Sequence, residues 1–106
     1  MNESERTEFI LKELGEDEIL CQLAEEAAEL AKAALKLRRA KSGKNPTPKT
    51  EDEARADLVE EFADVMNAAS FVITEDDVAK TDEIIRRKRE RWMKRIEEAR
   101  KAKTAE

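Results

Sequence analysis

Leu23-Ala24-Glu25-Glu26-Ala27-Ala28-Glu29-Leu30 returns 35 positions later as Leu58-Val59-Glu60-Glu61-Phe62-Ala63-Asp64-Val65. Both copies read apolar, any, Glu, Glu, any, Ala, acid, apolar. With about 100° between successive residues of a helix, Leu23, Ala27, Leu30, Ala34 and Leu37 fall within roughly 40° of one line. That line is the apolar stripe of an amphipathic helix. Phe62, Val65, Ala69 and Val72 make the same stripe in line with Leu58. Each copy therefore predicts a core-facing helix and carries one acidic pair at i, i+3. Glu26 and Glu61 lie about 60° to one side of their stripes, and Glu29 and Asp64 about 120° to the same side. On that shoulder a carboxylate reaches inward and is still served by water and ions.

The two pairs also match in height. The connector runs from about Lys41 to Thr50, with Glu29 12 residues before it and Glu61 11 residues after it. At a rise of about 1.5 Å per residue, both acids stand roughly 17–18 Å from the turn. A short connection favours antiparallel neighbours, so the pairs face each other as a four-carboxylate cage. Such a cage concentrates negative charge, which either takes up protons or binds a cation. An acidic pair on one helix is commonplace. Two at equal angles and equal heights point to a divalent metal.

Composition bounds the fold class. The chain has 106 residues, 2 glycines, 2 prolines and 44% charged side chains. Ala, Glu, Lys, Leu and Arg dominate, as in helical bundles and coiled coils. The expectation is an all-α, four-helix bundle in a single domain over residues 1–106. Its narrow apolar faces would be completed by a homodimer or homotetramer, because a core of this size is marginal alone.

Charge is arranged in blocks. Residues 1–29 carry a net −8, 30–50 a net +7, 51–83 a net −10 and 84–106 a net +6. Acids near helix starts and bases near helix ends suit the helix dipole. The same order also sets metal-binding acids beside phosphate-binding bases. The acidic blocks interrupt any continuous basic surface, which argues against a nucleic-acid partner. No apolar run is long enough to span a membrane. The polar, acidic N-terminus is unlike a signal or transit peptide, and a cytoplasmic protein is expected. The chain has no histidine, so His-ligated zinc and Ser-His or Cys-His catalysis are ruled out. Cys21 alone forms no intrachain disulfide and reads as core filler.

Four helices are expected. The first runs from about Ser4 to Leu14 and ends at Gly15 in a left-handed cap. Glu16-Asp17-Glu18 open the second, which continues to about Lys41. Residues 42–49 hold Gly43, Pro46 and Pro48 and form the loop. Thr50-x-x-Glu53 is a capping box starting the third helix, which ends near residues 71–73. Thr74-x-x-Asp77 opens the fourth, which runs to about residue 102 before a frayed tail at 103–106. Val78, Ile85, Trp92 and Ala99 recur every seventh position with Ile96 between them, a narrow seam for a packing partner.

Glu25-Glu26-x-x-Glu29, a spacer and Glu61-x-x-Asp64 resemble the EExxE…ExxD signature of the all-α nucleotide pyrophosphohydrolases. That superfamily includes MazG, the dimeric dUTPases and phosphoribosyl-ATP pyrophosphohydrolase. The resemblance covers about Gly15 to Phe71. Asn67, three residues after Asp64, is similar to MazG-type enzymes, whereas the Tyr-His pair expected in phosphoribosyl-ATP pyrophosphohydrolases is absent. The resemblance implies Mg²⁺-dependent cleavage of a nucleoside or deoxynucleoside triphosphate between the α and β phosphates, with Mn²⁺ as a substitute metal. The products are the monophosphate and pyrophosphate. Glu26, Glu29, Glu61 and Asp64 match the metal ligands, and Glu25, one turn before Glu29, is the candidate general base.

Further contacts follow from helical position. Lys32 and Lys36 lie one and two turns beyond Glu29 and can meet a phosphate, lysine being a point-charge phosphate binder. Gln22 is one turn before Glu26, and Asn67 one turn after Asp64. Both are placed to hydrogen-bond a sugar or base. Phe9, Phe71 and Trp92 offer faces for stacking, although apolar packing is the simpler role. Arg89 falls about 20° from the centre of the last helix's apolar stripe. There it pairs with a carboxylate, meets a phosphate, or snorkels to solvent. The alternative to an enzyme is a self-associating helical interaction module whose acidic cluster is degenerate or structural.

Overall fold

The computed structural model describes residues 1–105. Those residues form three helices: α1 (Glu3–Ser42), α2 (Glu51–Ala69) and α3 (Glu75–Ala105). The all-α class holds. The first two expected helices follow one another as the two stretches of α1, with the break at Gly15, where the backbone is not helical. Gly15 lies at φ 78 and ψ 165, outside the left-handed helical region expected for a cap. That combination is open essentially only to glycine, so the residue kinks the chain between the two stretches without a left-handed cap. The cap of the expected kind is at Gly43 (φ 67, ψ −1), whose N–H donates to the Arg39 carbonyl at 2.9 Å.

All three helix starts are reciprocally capped. The Thr50 side chain accepts from the Glu53 N–H at 3.2 Å, while the Thr50 N–H donates to the Glu53 carboxylate at 3.0 Å. Thr74 and Asp77 repeat the exchange at 3.1 and 3.0 Å, and the Thr74 N–H holds the Asp77 carboxyl below its usual value. Asn2 and Glu5 form a third box, which the sequence reading did not anticipate. Each satisfies backbone donors that a helix start leaves unpaired. α3 continues to Ala105, beyond the expected end near residue 102. Glu106 lies outside the described residues.

The chain resolves into two compact units, Met1–Val72 and the segment from Ile73 onward. In the first, α1 and α2 pack as an antiparallel pair. Lys41 near the end of α1 reaches Glu51 at the start of α2 at 3.9 Å, and the residues that share cavities (below) fix the direction.

Of the expected stripe residues, only Leu37 is buried in the seam between α1 and α2. Among the described residues the buried positions are Ile19, Ala33, Leu37, Ala54 and Ala68. On the same wheels they centre about 50° from the stripes, rotated on both helices toward the acids. Of the expected stripe residues, Ala27 and Ala34 are exposed and Phe62 is 53% exposed. Leu23, Leu30, Val65, Ala69 and Val72 are half-buried. The physical reason is size. Distance between helix axes depends on the side chains at the contact, and alanine permits the nearest approach. The larger residues Leu20, Leu35, Val59, Phe62 and Met66 lie on the flank away from the acids and remain exposed. The 35-residue offset relates the buried positions as well: Ile19 corresponds to Ala54 and Ala33 to Ala68. The pair is thus approximately two-fold in pattern.

The second unit is α3. Its apolar seam residues Val78, Ile85, Trp92 and Ile96 are all 45–66% exposed, and no described residue of this helix is buried. No described helix is long and apolar enough to cross a membrane.

Candidate metal centre

The rotation of the seam carries one acid of each helix into the interface. Glu26 and Glu61 sit about 60° from the reference residues, close to the seam centre, and both are half-buried. Asp64, one turn on from Glu61, closes over them. Glu26, Glu61 and Asp64 each bring a carboxylate oxygen within 4.8 Å of the other two. Of the four expected ligands these three come together. Glu29 does not join the group; its carboxylate stands 3.5 Å from the Lys32 ammonium and borders a neighbouring cavity together with Glu61.

Electrostatics report the crowding. Burial, then the charges of Asp64, Glu26, Glu29 and Glu60, push the Glu61 carboxyl above its usual range. Gln22 offsets part of the charge by donating from its side-chain amide to Glu26 at 2.7 Å. The donor set is all oxygen and all carboxylate, which suits a hard cation such as Mg²⁺ or Mn²⁺ and offers nothing to a soft one. Mg²⁺ binds through few carboxylates and leaves coordination to water and substrate phosphate, so three convergent carboxylates fit it.

Two cavities flank the cluster. The first, about 130 Å³, is bordered by Glu26 and Asp64 and by Ile10, Leu14, Ile19, Gln22, Asn67 and Phe71. The second, about 180 Å³, is bordered by Glu61 and Glu29 and by Lys32, Lys36, Lys49 and Asp57. Gln22, Asn67, Lys32 and Lys36 are therefore where the helical spacing put them, beside the acids. Glu25 is exposed on α1 and forms no hydrogen bond or ion pair among the described residues. Arg89 belongs to α3, where it borders a cavity with Asp82, Ile85 and Met93. Its neighbour Arg86, not Arg89, takes the carboxylates of Glu83 and Glu90, at 2.7 and 3.0 Å.

Lys49 and Asp57 are additions that spacing on one helix does not reveal. They pair across the start of α2, loop residue to helix residue. The hydrogen bond to Asp57, with its charge, raises the Lys49 pKa. One signal was available: Lys49 immediately precedes the Thr50 cap, and Asp57 lies about two turns into the helix it opens. Comparison with protein-family models, with curated proteins and with solved structures finds no match.

The raised Glu61 value fixes the sign of a pH effect. A carboxyl whose folded pKa lies above its unfolded one binds more protons in the folded state. Its contribution to stability is present at low pH and is lost as pH rises from the usual glutamate range through the raised value. Glu61→Gln removes that loss. With a chelator present, the variant melts above the wild type at pH 7.5, and the gap closes toward pH 4.5. Excess Mg²⁺ raises the wild-type melting temperature and leaves the variant's unchanged. A variant that melts lower in chelator, or that keeps the Mg²⁺ response, contradicts the electrostatic assignment.

Proposed function

We propose that the protein is a Mg²⁺-dependent nucleotide pyrophosphohydrolase of the MazG-like type. It cleaves a nucleoside or deoxynucleoside triphosphate between the α and β phosphates, giving the monophosphate and pyrophosphate. The observation that carries this reading is the convergence of Glu26, Glu61 and Asp64 between a half-apolar cavity and a lysine-bordered one. The resemblance of Glu25-Glu26-x-x-Glu29 and Glu61-x-x-Asp64 to the superfamily signature supports it.

When bound, the metal neutralises phosphate charge and makes water a better nucleophile. The chain's own residues do the rest. Glu26, Glu61 and Asp64 hold the cation. Glu29, which borders a cavity with Glu61, completes the set when Lys32 turns to a phosphate instead. Glu25 stands on the solvent edge of the same helix and receives the proton of the attacking water. Lys32 and Lys36 bind phosphate oxygens. Gln22 and Asn67 hydrogen-bond the sugar or base.

The active form in this proposal is a homodimer or homotetramer. Leu20, Leu35, Val59, Phe62 and Met66 leave one flank of the α1–α2 pair apolar and exposed, and such a surface marks an interaction site. Sedimentation at micromolar concentration should find a dimer or larger, with an unfolding midpoint that rises with protein concentration. A monomer with a constant midpoint would contradict this.

A panel of ribo- and deoxyribonucleoside triphosphates assayed for pyrophosphate release with Mg²⁺ tests the activity. Glu26→Gln, Glu61→Gln and Asp64→Asn should each lower turnover by about 100-fold or more, because a metal supplies several kcal/mol of transition-state stabilisation. Double variants should lose little beyond the singles, since groups acting as one unit are non-additive. Pyrophosphate release at the wild-type rate by any two of the three, or orthophosphate as the first product, sinks the proposal.

A further inference from the structure

The 35-residue offset that relates the two acidic motifs also relates the two cavities. Gln22, Glu26, Asp64, Asn67, Ala68 and Phe71 border the first. Exchanging helices at that offset gives Asp57, Glu61, Glu29, Lys32, Ala33 and Lys36, all of which border the second. The cluster therefore has two flanks of the same construction. Carboxylates and alanines correspond. The differences are at four places: Leu14 corresponds to Lys49, Gln22 to Asp57, Asn67 to Lys32 and Phe71 to Lys36. Three of these exchanges set a lysine against a leucine, an amide or a ring. Outside the correspondence, Ile10 and Ile19 join the first flank.

We infer that this broken symmetry gives the groove a direction, with Lys49 binding the leaving pyrophosphate beside Lys32 and Lys36, and Phe71, Asn67 and Gln22 receiving the nucleoside. The inference rests on the nucleotide reading above and adds to it a residue from the loop and an orientation. Pyrophosphate is a dense anion and requires cations, which only the second flank supplies. A sugar and base favour a partly apolar cavity with a few fixed polar groups, and Phe71 presents an aromatic face there. Gln22 and Lys36 are 14 residues apart on α1, so the groove extends about 21 Å along the helix with the carboxylates between its ends.

The ion pair with Asp57 does not consume Lys49. An ammonium has three donors, and this side chain keeps 43% of its surface exposed. Lys49 borders the cavity in its own right, and the pair leaves donors of the ammonium for a phosphate. Because Asp57 holds Lys49 one turn nearer the connector than Glu61, the lysine contacts the distal part of the phosphate chain and not the monophosphate that remains with the nucleoside.

The test is calorimetric binding, with Mg²⁺ present, of two probes: inorganic pyrophosphate and the set of nucleoside monophosphates. Lys49→Ala should weaken pyrophosphate by about tenfold or more, the loss of one charged hydrogen bond, and change monophosphate binding less than about twofold. Gln22→Ala should do the reverse. Asp57→Ala breaks the same ion pair but keeps the cation, so pyrophosphate binding is retained or tightened. Equal losses with Lys49→Ala and Asp57→Ala would mean that the pair only closes the loop, and would overturn the inference. Loss of monophosphate in place of pyrophosphate with Lys49→Ala would reverse the direction and overturn it too. The two readings fail separately. A wild type that turns over triphosphates but shows no Lys49-dependent pyrophosphate binding refutes the inference alone. One that binds pyrophosphate through Lys49 yet cleaves no triphosphate refutes the enzyme and keeps the anion site.

Discussion

Alanine at positions 33, 54 and 68 sets how near α1 and α2 can come. Close approach through small residues turns both helices so that Glu26 and Glu61 emerge from the seam itself. The carboxylates of two helices are then forced into one space with Asp64. Burial and like charges raise a carboxyl's pKa or recruit a cation, and the Glu61 carboxyl is pushed up first by burial and then by the charges of Asp64, Glu26, Glu29 and Glu60. A bulkier seam would relieve the conflict and dissolve the site. The apolar packing and the acidic cluster are therefore one feature, with the packing holding together groups that repel.

The same rotation gives the helix pair two dissimilar flanks. Toward the acids lies a groove with lysines at the connector end and an aromatic ring and amides at the other. On the far flank the large apolar residues have no cover within the pair. The first flank is suited to a polyanion carrying an apolar head. The second accounts for a chain with so few buried residues, since its large apolar side chains stand exposed there. An approximate two-fold in the pattern of α1 and α2 explains why both cavities exist. The substitutions that break it explain why they differ in charge.

Much of this was legible in the sequence, and the rest was hidden for identifiable reasons. The all-α class and the Thr50 and Thr74 starts follow from local chemistry, and local chemistry survives folding, whereas Gly43 reads from sequence as a loop residue and not as the cap of α1. The level acidic pairs follow from helical rise. The seam does not, because the apolar arc from Ile19 and Leu30 round to Leu20 and Leu35 is wider than one contact. A wheel finds its centre, whereas the partner helix selects the edge where alanines lie. Gly15 was legible as a break, but its conformation was not, since residue type does not distinguish ψ 165 from a left-handed cap. Lys49 was legible only as the residue before the Thr50 cap, because its pairing depends on where the loop returns. Glu29 matched its motif position, yet its carboxylate faces Lys32, a choice between neighbours that spacing cannot make.

The central claim is that Glu26, Glu61 and Asp64 form a divalent-cation site. Titration with Mn²⁺, with free ion followed by its electron paramagnetic resonance signal, measures this without substrate or turnover. The account predicts saturable binding in stoichiometric proportion to the chain, displaced by excess Mg²⁺ and lost in Glu61→Gln at unchanged helix content. Weak binding that scales with net charge and survives Glu61→Gln would show that the carboxylates only share a crowded seam, and would contradict the metal centre.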